Sequence, residues 1–200
     1  MPITFNPAED YILEDERVLL RPLKADDIEY LMPFSLNEPE IWKFSLITGA
    51  GRENMKKYIN STLKARGAGS DYPFIVFDKQ ANTYAGLTRF YDIQLHHSTL
   101  QLGYTWYGKA FQGTGLNKHC KFLLLSFAFE EMLMERVEFR ADNGNDRSLA
   151  AMKSIGCTVE GVLRSNYVKA NGIRRDSAIL SILRQEWENG VKHMLKAKLI

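Results

Sequence analysis

The chain has 200 residues, 45% of them hydrophobic and 25% charged, enough apolar content to bury one sizeable core. Its 26 Lys and Arg exceed its 24 Asp and Glu by only two, which leaves no electrostatic footprint for nucleic acid or an anionic membrane. No apolar run approaches the roughly 18 residues of a membrane span.

The segment Met1–Glu16 is polar and acidic, unlike a secretory signal. Arg17–Leu23 has the apolar richness of a strand, with Pro22 fitting an edge or an end. Lys24–Phe34 reads as a helix capped by Asp26 or Asp27 and stopped by Pro33. Arg52–Gly69 spaces Met55, Tyr58, Ile59 and Leu63 by three and four, a helix closed by glycines. Tyr72–Asp78, Thr83–Gln94 and Thr99–Gly108 are strand-like runs joined by short turns, a succession of antiparallel hairpins. A long, mostly apolar run, Leu116–Met134, predicts a largely buried helix. Arg136–Asp142 predicts a strand, and a helix opens near Asn145 or Asp146 and closes at Gly156. Thr158–Ala170 and Arg174–Leu183 flank the turn Asn171-Gly172, a strong hairpin signal. The tail from Arg184 predicts a basic helix, about 185–199, lying solvated on the surface.

No repeat or linker interrupts this order, so one domain is expected over 1–200, with its core about 17–183. The strand–helix–strand from Thr99 to Asp142 calls for a parallel pair, while both flanks are hairpins. A mixed α+β fold follows, with about seven strands in a mostly antiparallel sheet and helices on both faces. Cys120 and Cys157 lie among apolar neighbours and read as buried thiols of a reducing cytoplasm. His96-His97, with no Cys or carboxylate at ligand spacing, does not suggest a metal site.

Gly113 and Gly115 sit between a strand and a helix, in Gln112-Gly113-Thr114-Gly115-Leu116-Asn117. A helix N-terminus offers free N–H groups and a positive dipole end to phosphate oxygens, and glycine permits close approach. A turn with no ligand explains the same glycines equally well. A Walker A loop is excluded because Lys-Ser/Thr is missing, and a dinucleotide fingerprint because position 118 is Lys.

Around these glycines the chain resembles the GNAT N-acetyltransferase superfamily, in its RimJ/RimL-like branch, from about Arg17 to Leu183. Gln112 and Gly115 match the superfamily's Gln/Arg-x-x-Gly-x-Gly/Ala loop, and Asn117 departs from it. "RVLLRPLKADD", "LGYTWYGKAFQGTG", "RVEFRADNGNDRSLAAMKSIGCTVEGVLR" and "NGIRRDSAILSIL" resemble the branch's blocks in the right order.

The resemblance implies acetyl transfer from acetyl-CoA to an amine, without a metal or a covalent enzyme intermediate. It implies that the CoA pyrophosphate sits on the N–H groups of Gln112, Gly113, Gly115, Leu116 and Asn117. Thr114 and Asn117 can add side-chain hydrogen bonds. It implies that Gly103–Tyr107 splays from the next strand to pair with the pantetheine arm, and that an N–H near Tyr104 or Thr105 meets the thioester oxygen. Trp106 lies on the same strand, and Tyr104, Trp106, Tyr107 and Phe111 are candidate channel walls. Asn145 and Ser148 match positions near the cofactor sulfur, with Ser148 the candidate helper of the leaving thiolate. Relatives carry Glu where this chain has Gln101, and some carry a carboxylate at Tyr167, here a proton donor or a pocket wall. Glu138, Glu160 and His97 read as structural. The acceptor is a protein N-terminal amine or a small amine, and a homodimer is a family option. The alternative is a CoA-binding sensor or scaffold without turnover.

Overall fold

The computed structural model describes residues 4–199. In chain order the elements are β1 (Leu13–Glu14), β2 (Val18–Pro22), α1 (Ile28–Asn37), α2 (Arg52–Gly67), β3 (Tyr72–Asp78), β4 (Thr83–Gln94), β5 (Thr99–Tyr107), α3 (Leu116–Ser126), β6 (Arg136–Asp142), α4 (Asp146–Ser154), β7 (Thr158–Val168) and β8 (Arg174–Leu183). A π-helical turn, Phe127–Glu131, extends α3, and the tail holds α5 (Arg184–Glu186), a π-helical turn (Trp187–Val191) and α6 (Lys192–Lys196).

The eight strands form one sheet in the order β1-β2-β3-β4-β5-β6-β8-β7. Only β5 and β6 are parallel, joined through α3; every other neighbour is antiparallel. This is the mixed α+β architecture expected. The additional strand is β1, whose two residues pair with Leu19 and Leu20 and are too few to show a period.

Alternate side chains of the strands face opposite ways and bury against two sets of helices. On one face α3, α4 and the tail pack Leu116, Leu124, Met152 and Trp187 onto Leu100, Leu102, Val137, Phe139 and Leu180. On the other, α1 and α2 pack Leu31, Met55 and Ile59 onto Ile75, Leu87 and Trp106. Among the described residues, no member of β6, β7 or β8 belongs to this second cluster. That leaves the α1–α2 face of the last three strands without a helical cover.

Two expectations need correcting. Pro33 does not stop α1, which runs on to Asn37. Pro33 itself is exposed, while Leu31, Met32 and Ser35 are buried, and the Ser35 hydroxyl donates to Gly49 O at 2.6 Å. Tertiary contacts outweigh the one hydrogen bond that proline removes. The tail is not a solvated helix either. Trp187 and Leu195 are fully buried, and the indole stacks 5.6 Å from Phe129 while its Nε1–H donates to Glu130 at 2.9 Å.

Candidate active site

The sheet opens where the resemblance implied it should. β5 stays paired with β4 as far as Gly86↔Tyr107, and β6 pairs with β8 over its whole length. Between β5 and β6, however, the ladder stops after Thr99↔Arg136, Leu100↔Val137 and Gln101↔Glu138. From Leu102 onward the β6-facing edge of β5 has no strand partner among the described residues, which leaves room for an extended ligand to pair there.

A bulge shapes this fork. Between Arg89↔Gly103 and Leu87↔Trp106, β5 holds one residue more than β4, and Tyr104 takes a left-handed φ of 48°. Gly86 makes room for it, because a Cβ there would stand 2.1 Å from Trp106 O. The buried Arg89 guanidinium lies 3.5 Å from the centre of the Tyr104 ring and pairs with Asp71 at 3.0 Å. Tyr91 meets the same ring edge-on at 4.9 Å. Burial pushes the Tyr91 phenol well above its usual range, so it is a donor at neutral pH. Trp106 and Tyr107 are mostly buried and face opposite cores.

At the wide end of the fork lies the glycine loop. Gly113 and Gly115 have φ of 78° and 89°, conformations that side chains resist, and Gly115 is the N-cap of α3. The N–H groups of Gly113, Thr114, Gly115, Leu116 and Asn117 have no acceptor among the described residues. The N–H of Gln112 does, bonding Lys109 O at 3.1 Å, so it is turned inward. The side chains also serve the loop itself. Thr114 Oγ1 donates to Phe111 O at 2.9 Å, and Asn117 Oδ1 accepts from the Tyr107 hydroxyl at 3.2 Å. Leu116 is fully buried. Gln112 Nε2 donates to Tyr107 O at 2.8 Å, and its Oε1 accepts from Arg147 on α4. Loop and α4 are thereby tied together.

On α4, Asn145 Oδ1 caps the helix by accepting from Ser148 N at 3.2 Å. The Ser148 hydroxyl makes no hydrogen bond among the described residues. Tyr167 lies on β7, opposite Arg175, and its hydroxyl is 3.4 Å from Arg140 Nη1. The loop and α4 therefore meet, whereas Tyr167 belongs to the strands beyond the fork. Glu138 accepts from Arg136 at 2.9 Å and from Arg140 at 2.7 Å, and Arg136 holds Glu160 below the usual carboxylate range. Both carboxylates are structural ion pairs.

Two groups escaped sequence reasoning. Asp92 on β4 is exposed and accepts from Gln101 Nε2 at 2.7 Å, putting a carboxylate beside Gln101. Lys121 is buried in α3, and its Nζ donates to Thr105 Oγ1 at 2.8 Å. Its signal was present: Lys121 stands four residues before the buried Leu125, on the apolar stripe of the helix. His96 and His97 are exposed, while His119 bonds Asp15 at 2.7 Å beside Glu16, a turn-bracing group in which Asp15 also accepts from the N–H of Arg17 and Val18.

This geometry has counterparts in known proteins. A family model described as "Acetyltransferase (GNAT) domain" matches residues 17–158. The chain belongs to the GNAT acetyltransferase family. YdaF of Bacillus subtilis (strain 168), provisionally named as a ribosomal N-acetyltransferase, is 32% identical over 52% of this chain and 55% of that protein. The N-acetyltransferase p20 of Bacillus licheniformis is 26% identical over 88% of this chain and 97% of its own length. A GCN5-related N-acetyltransferase from Brucella melitensis superposes with a TM-score of 0.88 at 25% identity, over 98% of this chain and 88% of that one. RimJ of Mycobacterium smegmatis, solved with CoA-disulfide, shares the fold with a TM-score of 0.78 at 18% identity, over 94% and 93% of the two chains. As a GNAT protein with relatives named N-acetyltransferases, the chain is an acetyl-CoA-dependent acyltransferase.

Proposed function

We propose that this GNAT protein transfers the acetyl group of acetyl-CoA to the N-terminal amine of a protein by direct attack in a ternary complex. The observation that carries the reading is the fork: an unpaired strand edge leading from five free loop N–H groups to the Tyr104 bulge. The pyrophosphate takes the N–H groups of Gly113, Thr114, Gly115, Leu116 and Asn117, and the pantetheine arm pairs with the open edge of β5. Ser148 stands ready to donate to the departing sulfur.

The acceptor enters on the α1–α2 side of β6, β8 and β7, where no residue of these strands joins the α1–α2 cluster among the described residues. There the α1–α2 connection reaches the β7–β8 hairpin: Arg175 donates to Phe44 O at 3.2 Å, and Ala170 N to Ser45 O at 3.4 Å. On this side Arg89 pairs with Asp71 and Arg140 with Glu138, while Arg175, in no ion pair among the described residues, disfavours a polycationic acceptor. A protein chain end as acceptor is in keeping with YdaF's name. The acceptor is mostly ammonium near neutral pH, at a pKa of about 8 for an α-amine, and must lose a proton before attack. Glu138 is saturated by two arginines, whereas Asp92 accepts only from amides and can take that proton through water. An exposed edge at β7 provides the surface for a homodimer in the reducing cytoplasm.

Calorimetry with acetyl-CoA, and acetyl transfer to a panel of peptides and small amines, test this directly. Micromolar binding and peptide N-terminal acetylation are expected. Gly115→Val, strained at a positive φ, loses CoA affinity at least about tenfold in a folded protein. Binding without turnover on every amine would instead establish a CoA sensor.

A further inference from the structure

Lys121 has no place in the chemistry above, yet it lies at the fork. The residue is 5% exposed, on the second turn of α3. Its Nζ donates to Thr105 Oγ1 at 2.8 Å and reaches Thr88 Oγ1 at 3.5 Å, and those two hydroxyls are 2.8 Å apart. Thr105 follows the bulge residue Tyr104, on the strand that has just lost its β6 partner. On the β6 side, the Phe139 ring centre is 6.0 Å from Nζ. The ammonium thus stands behind the opening, between β4, β5 and β6.

Nothing neutralises it. Lys121 forms no ion pair among the described residues. The titratable groups facing it are Cys120, on its own helix, and Cys157, after α4; burial pushes both thiols up to about 12 and keeps them neutral. From β4 and β5 its Nζ bonds Thr88 and Thr105, and from β6 it faces the Phe139 ring. A methionine would fill the same space without the desolvation cost of a lone buried cation.

We propose that Lys121 is a positioning residue for acyl transfer: it fixes the Thr105 hydroxyl at the fork and sets one positive charge behind the strand opening, where negative charge builds as the thioester breaks. The inference rests on the fork being the acetyl-CoA site. In the step concerned, the acceptor nitrogen bonds the thioester carbon and the carbon–sulfur bond breaks. The electron pair of that bond goes to sulfur, and the proton on nitrogen passes through water to Asp92 and solvent. A cation at the fork lowers the cost of the charge on sulfur.

The test compares the affinities of CoA and acetyl-CoA for the intact chain, by calorimetry, between about pH 6 and pH 10. Only CoA carries a titratable thiol, whose free form ionises near about 8.5. Burial lowers the Lys121 ammonium to about 8. A thiolate–ammonium pair therefore makes the CoA preference rise by about tenfold from pH 6, peak between the two values and fall again. Lys121→Arg keeps the rise without the fall, and Lys121→Met loses the rise. A preference that stays flat with pH in the native protein overturns the proposal, whether or not the Met variant folds. So does a folded Lys121→Met variant that retains the peak. Failure of the native chain to bind acetyl-CoA at any pH would instead overturn the assignment of the fork.

Discussion

At the scale of single residues, the charged groups around the fork divide by what answers their charge. Glu138 accepts from Arg136 and Arg140, and Arg136 holds Glu160 below the usual carboxylate range. Asp92 is answered only by the amides of Gln94 and Gln101. Asp92→Asn is expected to lower kcat/KM by about 10²-fold, within the usual range for a general base, with acetyl-CoA affinity unchanged. Steady-state kinetics and calorimetry on the same preparation check this; an unchanged kcat/KM removes Asp92 from the mechanism. Lys121 carries a pH signature of its own. Its folded pKa is lowered to about 8 from the ordinary 10.5, so the unfolded chain binds more protons between those values. Stability must then rise with pH across that window. Below it, the buried charge costs on the order of 3 kcal/mol. Lys121→Met is expected to unfold at higher urea than the native chain at pH 7, the gap closing by about pH 10.5. The sequence hid the first role and only hinted at the second. Asp92 meets Gln101 only through β4–β5 pairing, and a lysine in a helix reads as surface until its neighbours four residues away are placed.

At the scale of elements, local patterns were legible where periodicity and turn chemistry agreed. Asn171-Gly172 marked the β7–β8 turn, and Met55, Tyr58 and Ile59 marked the buried side of α2. The glycines at 113 and 115 were readable as a loop but ambiguous in purpose, because free N–H groups belong to the folded backbone and not to a motif. The tail was misread, since its lysines drew attention from Trp187 and Leu195, eight positions apart on one side. Trp187 packs against Phe122 and Phe129. Trp187→Ala is expected to cost about 3–5 kcal/mol, read as a lower urea midpoint. A loss below about 1 kcal/mol would show that the tail is held by other means.

For the whole molecule, the last strand poses a problem. Val162 and Leu163 are adjacent, hence on opposite faces of β7, yet are 44% and 45% exposed. Both faces of an outer strand lie bare, a surface that soluble proteins usually cover. Light scattering behind gel filtration is expected to give twice the 22.9 kDa chain mass, reduced to one chain by Val162→Lys with Leu163→Lys. A native protein that stays monomeric at high micromolar concentration leaves β7 a plain solvent-facing edge.

The gap between β5 and β6 differs from that outer edge in who can reach it. An unpaired strand at a rim invites any passing chain to add itself, which is how sheets aggregate. The open stretch of β5 is recessed between two strands that are already fixed to their outer neighbours, and Gly86 lets β4 close up behind the bulge. A lone extended chain can lie along that stretch, so a recess that exposes main-chain donors to a small ligand lies away from the rim where sheets mispair. The molecule can hold this opening ready at all times without becoming sticky.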